Sequence, residues 1–442
     1  MNNPLKDMVI KRKLGIHCGI PSFCCANKIV IEAILEHAHK VDDTVVIEAT
    51  SNQVNQENGY MNMKPADFAS YVYHIADKLG FSREKIIIGG DHMGPLPWAD
   101  LPAETAMNNA AELVRLCVKA GYKKIHLDTS MYLGDDDHSH PLSDIVIARR
   151  GVFLYRECQK AYHEMLAVNP EEVQPVYVVG SEVPVPGGNQ EDSDKLHITG
   201  KADFERTLLT YRQVFVEEGL EGEWNNIIAF VVQPGVEFAN NHIHHYQRYA
   251  AHELCESLRK YPDIVFEGHS TDYQSPRALK KMVEDGIAII KVGPALTFAC
   301  REALFALSMM EKELISPEYQ SHFMEVLEEE MLKNPKHWEK YYEGNERQLN
   351  NQRKYSFSDR SRYYMSLPSV EEARKKLFSN MDHTDIPICM LHQYLPLQYP
   401  KVRDGKLGST ARELVKDHIT EVIEDYYYAV KYNYMTNAIF IR

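Results

Sequence analysis

The sequence has no Cys-x-x-Cys pair: eight cysteines lie scattered over 442 residues, which removes a zinc ribbon and a disulfide framework from consideration. Cys24-Cys25 is the one adjacent pair and reads as buried small thiols. No apolar run approaches the length of a membrane span, and Met1-Asn2-Asn3-Pro4-Leu5-Lys6 lacks the apolar core of a signal peptide. A cytoplasmic location is the expectation. Also missing are a Gly-x-Gly-x-x-Gly after a strand and a Gly-x4-Gly-Lys-Ser/Thr loop, the backbone cradles for dinucleotides and nucleotide phosphates. Nicotinamide redox chemistry and P-loop phosphoryl transfer therefore lose support. Basic residues are outnumbered, 49 Lys and Arg against 63 Asp and Glu, for a formal charge of −14. That balance argues against nucleic acid and against an anionic membrane as partners, while leaving room for a local basic pocket.

What the chain does have is a recurring unit of a short apolar β run followed by an amphipathic helix. The β runs are Gly15 to Ile20, stopped by Pro21, then Thr44 to Ala49, Lys85 to Asp91, Lys124 to Asp128, Val176 to Glu182, Ile227 to Gln233, Ile264 to His269 and Ile287 to Gly293. Between most of them lie helical stretches such as Ile29 to Val41, Pro65 to Leu79, Thr105 to Ala120, Phe204 to Gly219 and Pro276 to Glu284. Near-continuous apolar strands covered by helices indicate a parallel sheet. Eight such units over roughly 300 residues suit an α/β fold of the closed (β/α)8, or TIM barrel, type. A strong helix follows from Ala295 to Leu314, after which the strand signal stops and the chain turns helical, charged and tyrosine-rich. Two parts are expected: a barrel over residues 1–315 and a C-terminal helical appendage, 316–442, packed on it.

In such a barrel catalytic groups come from the C-terminal ends of the strands. Those ends here carry Glu48 with Asn52 and Gln53, Asp91-His92, His126 and Asp128, Glu182, Gln233, then Glu267, His269 and Asp272, and finally Lys291 and Gly293. Along the fourth run His126 and Asp128 share one face while Ile125 and Leu127 share the other. A charged group inside an apolar strand is costly unless paired or metal-bound, so this many polar strand ends point to a site. His92, His126, Glu182 and His269 are the candidate ligands, three or more of them converging on one divalent cation, zinc being the expected ion. Asp91, Asp128 and Asp272 are then supporting or acid/base groups. Lys291-Val292-Gly293-Pro294, a cation and a permissive glycine ahead of a helix, is the candidate phosphate loop, with Gly187-Gly188 as a second backbone-donor loop and Asp359-Arg360-Ser361-Arg362 as a further source of charge.

The segments Glu48 to Gln56, Gly89-Gly-Asp-His-Met-Gly-Pro, Lys124-Ile-His-Leu-Asp, Ser181-Glu-Val-Pro-Val-Pro-Gly-Gly, Val232-Gln-Pro-Gly-Val-Glu-Phe, Gly268-His-Ser-Thr-Asp-Tyr-Gln and Lys291-Val-Gly-Pro-Ala resemble those of the Z-type subunits of class II tagatose-1,6-bisphosphate aldolase. The resemblance continues in Tyr355 to Tyr364 and Gln393 to Tyr399, so it spans nearly the whole chain. It implies a barrel that supports a separate catalytic aldolase subunit in galactitol or N-acetylgalactosamine breakdown, acting on a phosphorylated ketohexose. The family is also associated with 4-epimerisation of fructose 6-phosphate and tagatose 6-phosphate, for which retro-aldol cleavage and re-addition is a route without nicotinamide. In that chemistry a metal holds the ketose carbonyl, Glu182 or Asp91 moves the C4 hydroxyl proton, and Asp128 or Asp272 orients a ligand. Glu48, Asn52, Gln53, Gln233, Lys291, Gly293 and Arg360 are the expected substrate contacts. The family often reads Cys-Ser-Ala-His where this chain has Cys24-Cys25-Ala26-Asn27, so no role of that histidine carries over. Whether the chain self-associates is left open by the sequence.

Overall fold

The computed structural model describes residues 3–181 and 196–431. Eight parallel strands close a barrel in sequence order: β1 (Ile20–Cys24), β2 (Val45–Thr50), β3 (Ile86–Met93), β4 (Lys124–Leu127), β5 (Val176–Val179), β6 (Ile227–Val232), β7 (Val265–Gly268) and β8 (Ile287–Val292). The strands are buried on both faces, which is why each reads as an apolar run rather than an alternating one. β1 is displaced from its expected place. Gly15 to Cys18 leads into the barrel and Pro21 lies within the strand, pairing in register with Ile290. A proline forfeits one ladder donor but can still accept through its carbonyl.

Alternation sorts the barrel interior into tiers. The lowest holds Val46, Ile87, Val176, Val265 and Ile289. Helix α1 (Pro4–Lys13), which the periodicity does not reveal, lays Leu5, Met8 and Val9 against this tier and closes the bottom of the barrel. Above it, Glu48, Lys124, Glu267 and Lys291 point inward from β2, β4, β7 and β8. Gly89 of β3 makes the space for Glu48: a Cβ there would meet Glu48 Oε1 at 2.5 Å. The top tier, at the C-terminal mouth, holds Asp91, His126 and His269.

The outer layer is formed by α2 (Lys28–Val41), α3 (Pro65–Leu79), α4 (Ala103–Lys119), α5 (Asp144–Val168), α6 (Lys201–Glu217), α7 (His252–Ser257), α8 (Pro276–Glu284) and α9 (Pro294–Leu314). After α9 come α10 (Phe323–Lys333), α11 (Glu346–Tyr355), α12 (Pro368–Asp382), α13 (Ile388–Tyr394), α14 (Gln398–Arg403) and α15 (Ala411–Val430). A capping box between Thr410 and Glu413 starts α15, and its buried stripe of Leu414, Ile419, Ile423, Tyr427 and Val430 is continuous at helical spacing. This last helix returns to the barrel wall, packing on α2, α8, α9 and β1. Tyr427 stacks on Phe23 of β1, Arg412 pairs with Glu32 at 2.6 Å and Lys416 with Glu36 at 2.5 Å.

Candidate metal centre

Asp91, His92, His126 and His269 converge at the mouth of the barrel, with one potential ligand atom from each lying within 4.8 Å of the others. All four are buried. The three imidazoles form a near-equilateral triangle, with centroids 4.9, 5.0 and 5.1 Å apart and the rings tilted edge to face. Strict alternation would place Asp91 and His92 on opposite faces of β3. The strand instead shifts register between Gly90 and Met93, and His92 takes a left-handed backbone conformation, φ 48°, which turns its ring inward beside Asp91.

Each outer histidine is held from behind by a carboxylate. His92 Nδ1 lies 2.8 Å from Asp128 Oδ2, leaving Nε2 toward Asp91, and His269 Nε2 lies 2.9 Å from Glu267 Oε1 and 4.0 Å from Asp91 Oδ1. This carboxylate-imidazole arrangement fixes ring orientation at metal sites. His126 Nδ1 lies 3.0 Å from Asp91 Oδ1 and receives the His92 backbone N–H at 3.2 Å, whereas its Nε2 is buried with no hydrogen-bond partner among the described residues. An orphaned ring nitrogen among two other imidazoles and an ionised carboxylate is a donor set that fits a divalent cation. Burial alone would raise the Asp91 pKa, but His92, Lys291 and His126 pull it well below the ordinary carboxylate range. Burial holds His269 down to about 4, in the neutral form a metal requires. On His92 burial is outweighed by Asp91 and Asp128, which raise its pKa.

A cavity of about 300 Å³ opens above the cluster, lined by Asp91, His92, His269, Lys291 and residues of the surrounding loops. Asp272 lies on its wall; Oδ1 accepts the backbone N–H groups of Gly293 and Ala295 at 3.0 and 2.8 Å. Burial nevertheless pushes its carboxyl up to about 6, which the two backbone donors only partly offset. Asn52 and Gln53 also reach the cavity wall. A larger cavity, of about 800 Å³, lies at the opposite end of the barrel among Arg12, Arg248 and Lys280, away from this chemistry.

Several expectations change. Asp91 belongs to the cluster itself rather than standing behind it, and Asp128 is the support for His92. Glu48 does not line the cavity: it is fully buried below it, paired with Lys124, Lys291 and the Ser22 hydroxyl. Lys291 borders the cavity, but Glu48 and Asp91 hold its ammonium, and the Gly293 N–H is taken by Asp272. The phosphate loop read from the sequence is thus already satisfied internally. Gln233 turns back to accept the Gly235 and Val236 N–H groups. Arg360 stacks on Tyr341 and donates to His337 O, away from the cavity. Its neighbour Arg362 lines the cavity instead, with Tyr60 and Tyr363. Glu182 and Gly187-Gly188 lie outside the described residues.

Nothing in the sequence separates Arg362 from Arg360, since both belong to one Asp-Arg-Ser-Arg run. Glu237 was also passed over. It sits in the short hairpin of Glu237–Phe238 with Ile243–His244 beyond β6, and burial raises its carboxyl to about 7, against hydrogen bonds from Phe238 N and Ser270. Its signal was present: a glutamate between two apolar residues after a strand end.

Residues 5–431 match the family described as D-tagatose-1,6-bisphosphate aldolase subunit GatZ/KbaZ-like. A protein of Salmonella typhimurium named D-tagatose-1,6-bisphosphate aldolase subunit GatZ is 45% identical over 422 residues, covering 96% of this chain and 98% of that one. The protein of the same name from Salmonella paratyphi B is 44% identical with the same coverage. Among solved structures, the chain is similar to one from Sinorhizobium meliloti 1021 titled a probable tagatose 6 phosphate kinase. The TM-score is 0.84 and the identity 40%, over 93% of this chain and 100% of that one.

Proposed function

The chain belongs to the GatZ/KbaZ-like family of D-tagatose-1,6-bisphosphate aldolase subunits, and from that premise we propose that it serves as the Z-type subunit of such an aldolase beside a separate catalytic subunit. The relatives' names support the assignment, and the observation that carries it structurally is the buried Asp91, His92, His126 and His269 cluster at the catalytic end of the barrel. A subunit that only propped up a partner would have no use for four convergent ionisable groups there. The reading therefore includes a metal centre on this chain, with zinc as the ion that an imidazole-rich, carboxylate-containing donor set suits best.

Bound at this cluster, a divalent ion supplies electrophilic polarisation of a ketose carbonyl. Asp272, with its pKa near the working range, is placed to exchange a proton with a hydroxyl of a sugar bound in the cavity. Arg362 gives the described cavity wall a guanidinium for a phosphate, its Nη1 anchored on Asp359 O at 3.0 Å. Lys291 is not suited to a Schiff base: although burial works against its charge, Asp91 and Glu48 keep its pKa well above the ordinary amine value, so its nitrogen carries no free lone pair. This favours metal-type over amine-type aldol chemistry.

The cluster would serve aldol cleavage and 4-epimerisation alike, and the relatives' names carry the first. No helix among the described residues is long and apolar enough to cross a membrane. The test is to purify the chain, measure bound metal, and assay cleavage of tagatose 1,6-bisphosphate with and without a catalytic class II subunit, together with conversion of fructose 6-phosphate to tagatose 6-phosphate. The reading expects bound metal and stimulation of the catalytic subunit. Absence of metal after purification in zinc, or full epimerase turnover by the chain alone with no effect on the catalytic subunit, would overturn it.

A further inference from the structure

Directly beneath the cluster, a tier that barrels of this kind ordinarily fill with Val, Ile and Leu holds four charged side chains. Glu48, Lys124 and Glu267 have no solvent exposure, and the Lys291 side chain has 6%. Lys124 Nζ lies 2.7 Å from Glu48 Oε1 and 2.8 Å from Glu267 Oε2. From Lys124 the contacts run in two directions. One passes through Glu267, whose other oxygen lies 2.9 Å from His269 Nε2. The other passes through Glu48 to Lys291, and from Lys291 Nζ to Asp91 Oδ2 at 3.0 Å. Both ends are members of the candidate metal cluster.

We propose that Lys124 is a positioning residue of the metal centre: a buried cation that, through Glu267 and through Glu48 with Lys291, fixes His269 and Asp91 in the geometry that accepts the ion. The inference rests on the metal-centre reading above. Two features of the arrangement favour positioning over stability. A buried ionic tier is costly to desolvate, and an apolar tier of the same volume would serve the barrel's stability at least as well. The charges of Glu48, Glu267, Lys124 and Lys291 also cancel, so the tier adds no net charge beneath a bound cation while giving each ligand one defined neighbour. Glu267, held by Lys124, engages Nε2 of His269, the ring nitrogen that also lies 4.0 Å from Asp91 Oδ1, and so fixes the tilt of the imidazole in the cluster. Lys291 engages Oδ2 of Asp91 and so leaves Oδ1 facing His126.

The test compares the full-length chain with Lys124→Met and with the charge-balanced pair Lys124→Met and Glu267→Gln, which leaves the Glu48–Lys291 pair intact and retains an acceptor for His269. Lys123→Met is the control, since the half-buried ammonium of Lys123 pairs with Glu172 and touches no member of the tier. Cobalt(II) is the probe, its affinity read by chelator competition and its coordination by visible absorption, with the melting temperature of the metal-free chain measured alongside. The expected result is one cobalt per wild-type chain, affinity about 10- to 100-fold weaker and an altered band shape in the Lys124 variants, and neither change in the control. A purely structural role would move the melting temperature and leave the affinity and spectrum of the folded protein unchanged; that outcome overturns the proposal. Should Lys124→Met not fold, the charge-balanced pair decides by the same criteria. No cobalt binding by wild type would overturn the metal-centre reading itself, and the proposal with it.

Discussion

Replacing Asp272 by Asn tests the site's electrostatics without disturbing its shape. The carboxyl accepts two backbone N–H groups at the start of α9, and an asparagine oxygen can accept both. What the substitution removes is the charge. Burial lifts the Asp272 pKa from 3.8 to about 6, which corresponds to about 3 kcal/mol of destabilisation of the ionised form relative to the unfolded chain. That shift is already net of the Gly293 and Ala295 N–H groups, which lower the pKa without offsetting burial. Asp272→Asn is therefore predicted to be more stable than wild type by up to about 3 kcal/mol at pH 8. The pH dependence follows from the direction of the shift. Between 3.8 and about 6 the folded state holds more of the proton than the unfolded state, so this group lowers stability as pH rises through that window. The advantage of the variant should therefore shrink toward pH 4. Urea denaturation of the metal-free chain at a series of pH values measures both. The variant should at the same time lose about 10²- to 10⁴-fold in turnover if Asp272 transfers a proton. A variant destabilised by more than about 1 kcal/mol at pH 8, or a stability difference that does not narrow toward pH 4, would refute the reasoning.

Arg362→Ala should raise KM for a phosphorylated substrate by about 10- to 100-fold, as expected for a lost charge-assisted contact, with a smaller effect on kcat. Arg360→Ala, in contrast, should leave KM unchanged and cost about 2–3 kcal/mol of stability in denaturant titration, because it removes a buried stack on Tyr341 and the hydrogen bond to His337 O. Gly94→Ala would set a Cβ 1.7 Å from the backbone oxygen of Asp128, so β3 and the end of β4 must separate. A loss of about 2–4 kcal/mol is expected, together with loss of bound metal on elemental analysis. Tyr426→Phe should cost about 1 kcal/mol in the same titration, since its hydroxyl donates to Thr271 O at 2.9 Å.

The eight strands were legible because strands covered on both faces must be apolar along their length, and Lys124 to Asp128 or Ile287 to Gly293 carries that mark without any alignment. The misplacement of β1 has a local cause: Pro21 reads as a stop, whereas this strand accommodates the missing donor and pairs Pro21 with Ile290. Helix α1 escaped because its contact with the barrel floor involves only Leu5, Met8 and Val9, too few to raise a helical period above its charged sequence. At the site, residue types were readable and their partners were not. Glu48 and Lys291 stand more than 240 positions apart and neutralise each other, so two residues that looked available to substrate are consumed by the fold. Likewise, an alternation argument placed His126 correctly but could not place His92, whose inward turn depends on one left-handed residue at the end of β3.

From sequence the segment beyond α9 is a charged, tyrosine-rich appendage packed on the barrel, with Asp359-Arg360-Ser361-Arg362 as a source of charge, but composition does not say which of its residues meet the cavity. In the fold it supplies Arg362 and Tyr363 to the cavity, while Asp359, paired with Arg301 at 2.9 Å and accepting from Thr297, ties that wall to the first turns of α9. Helix α15 then returns to the barrel, where Tyr426 grips Thr271, the residue before Asp272. The inner tier holds the cluster from below and this outer segment holds Asp272 and Arg362 from the side. On the proposed reading, the phosphate end of a substrate and its carbonyl would be met by different parts of the chain, which are joined by α9 and tied again where Tyr426 donates to Thr271 O and Tyr273 to Phe357 O.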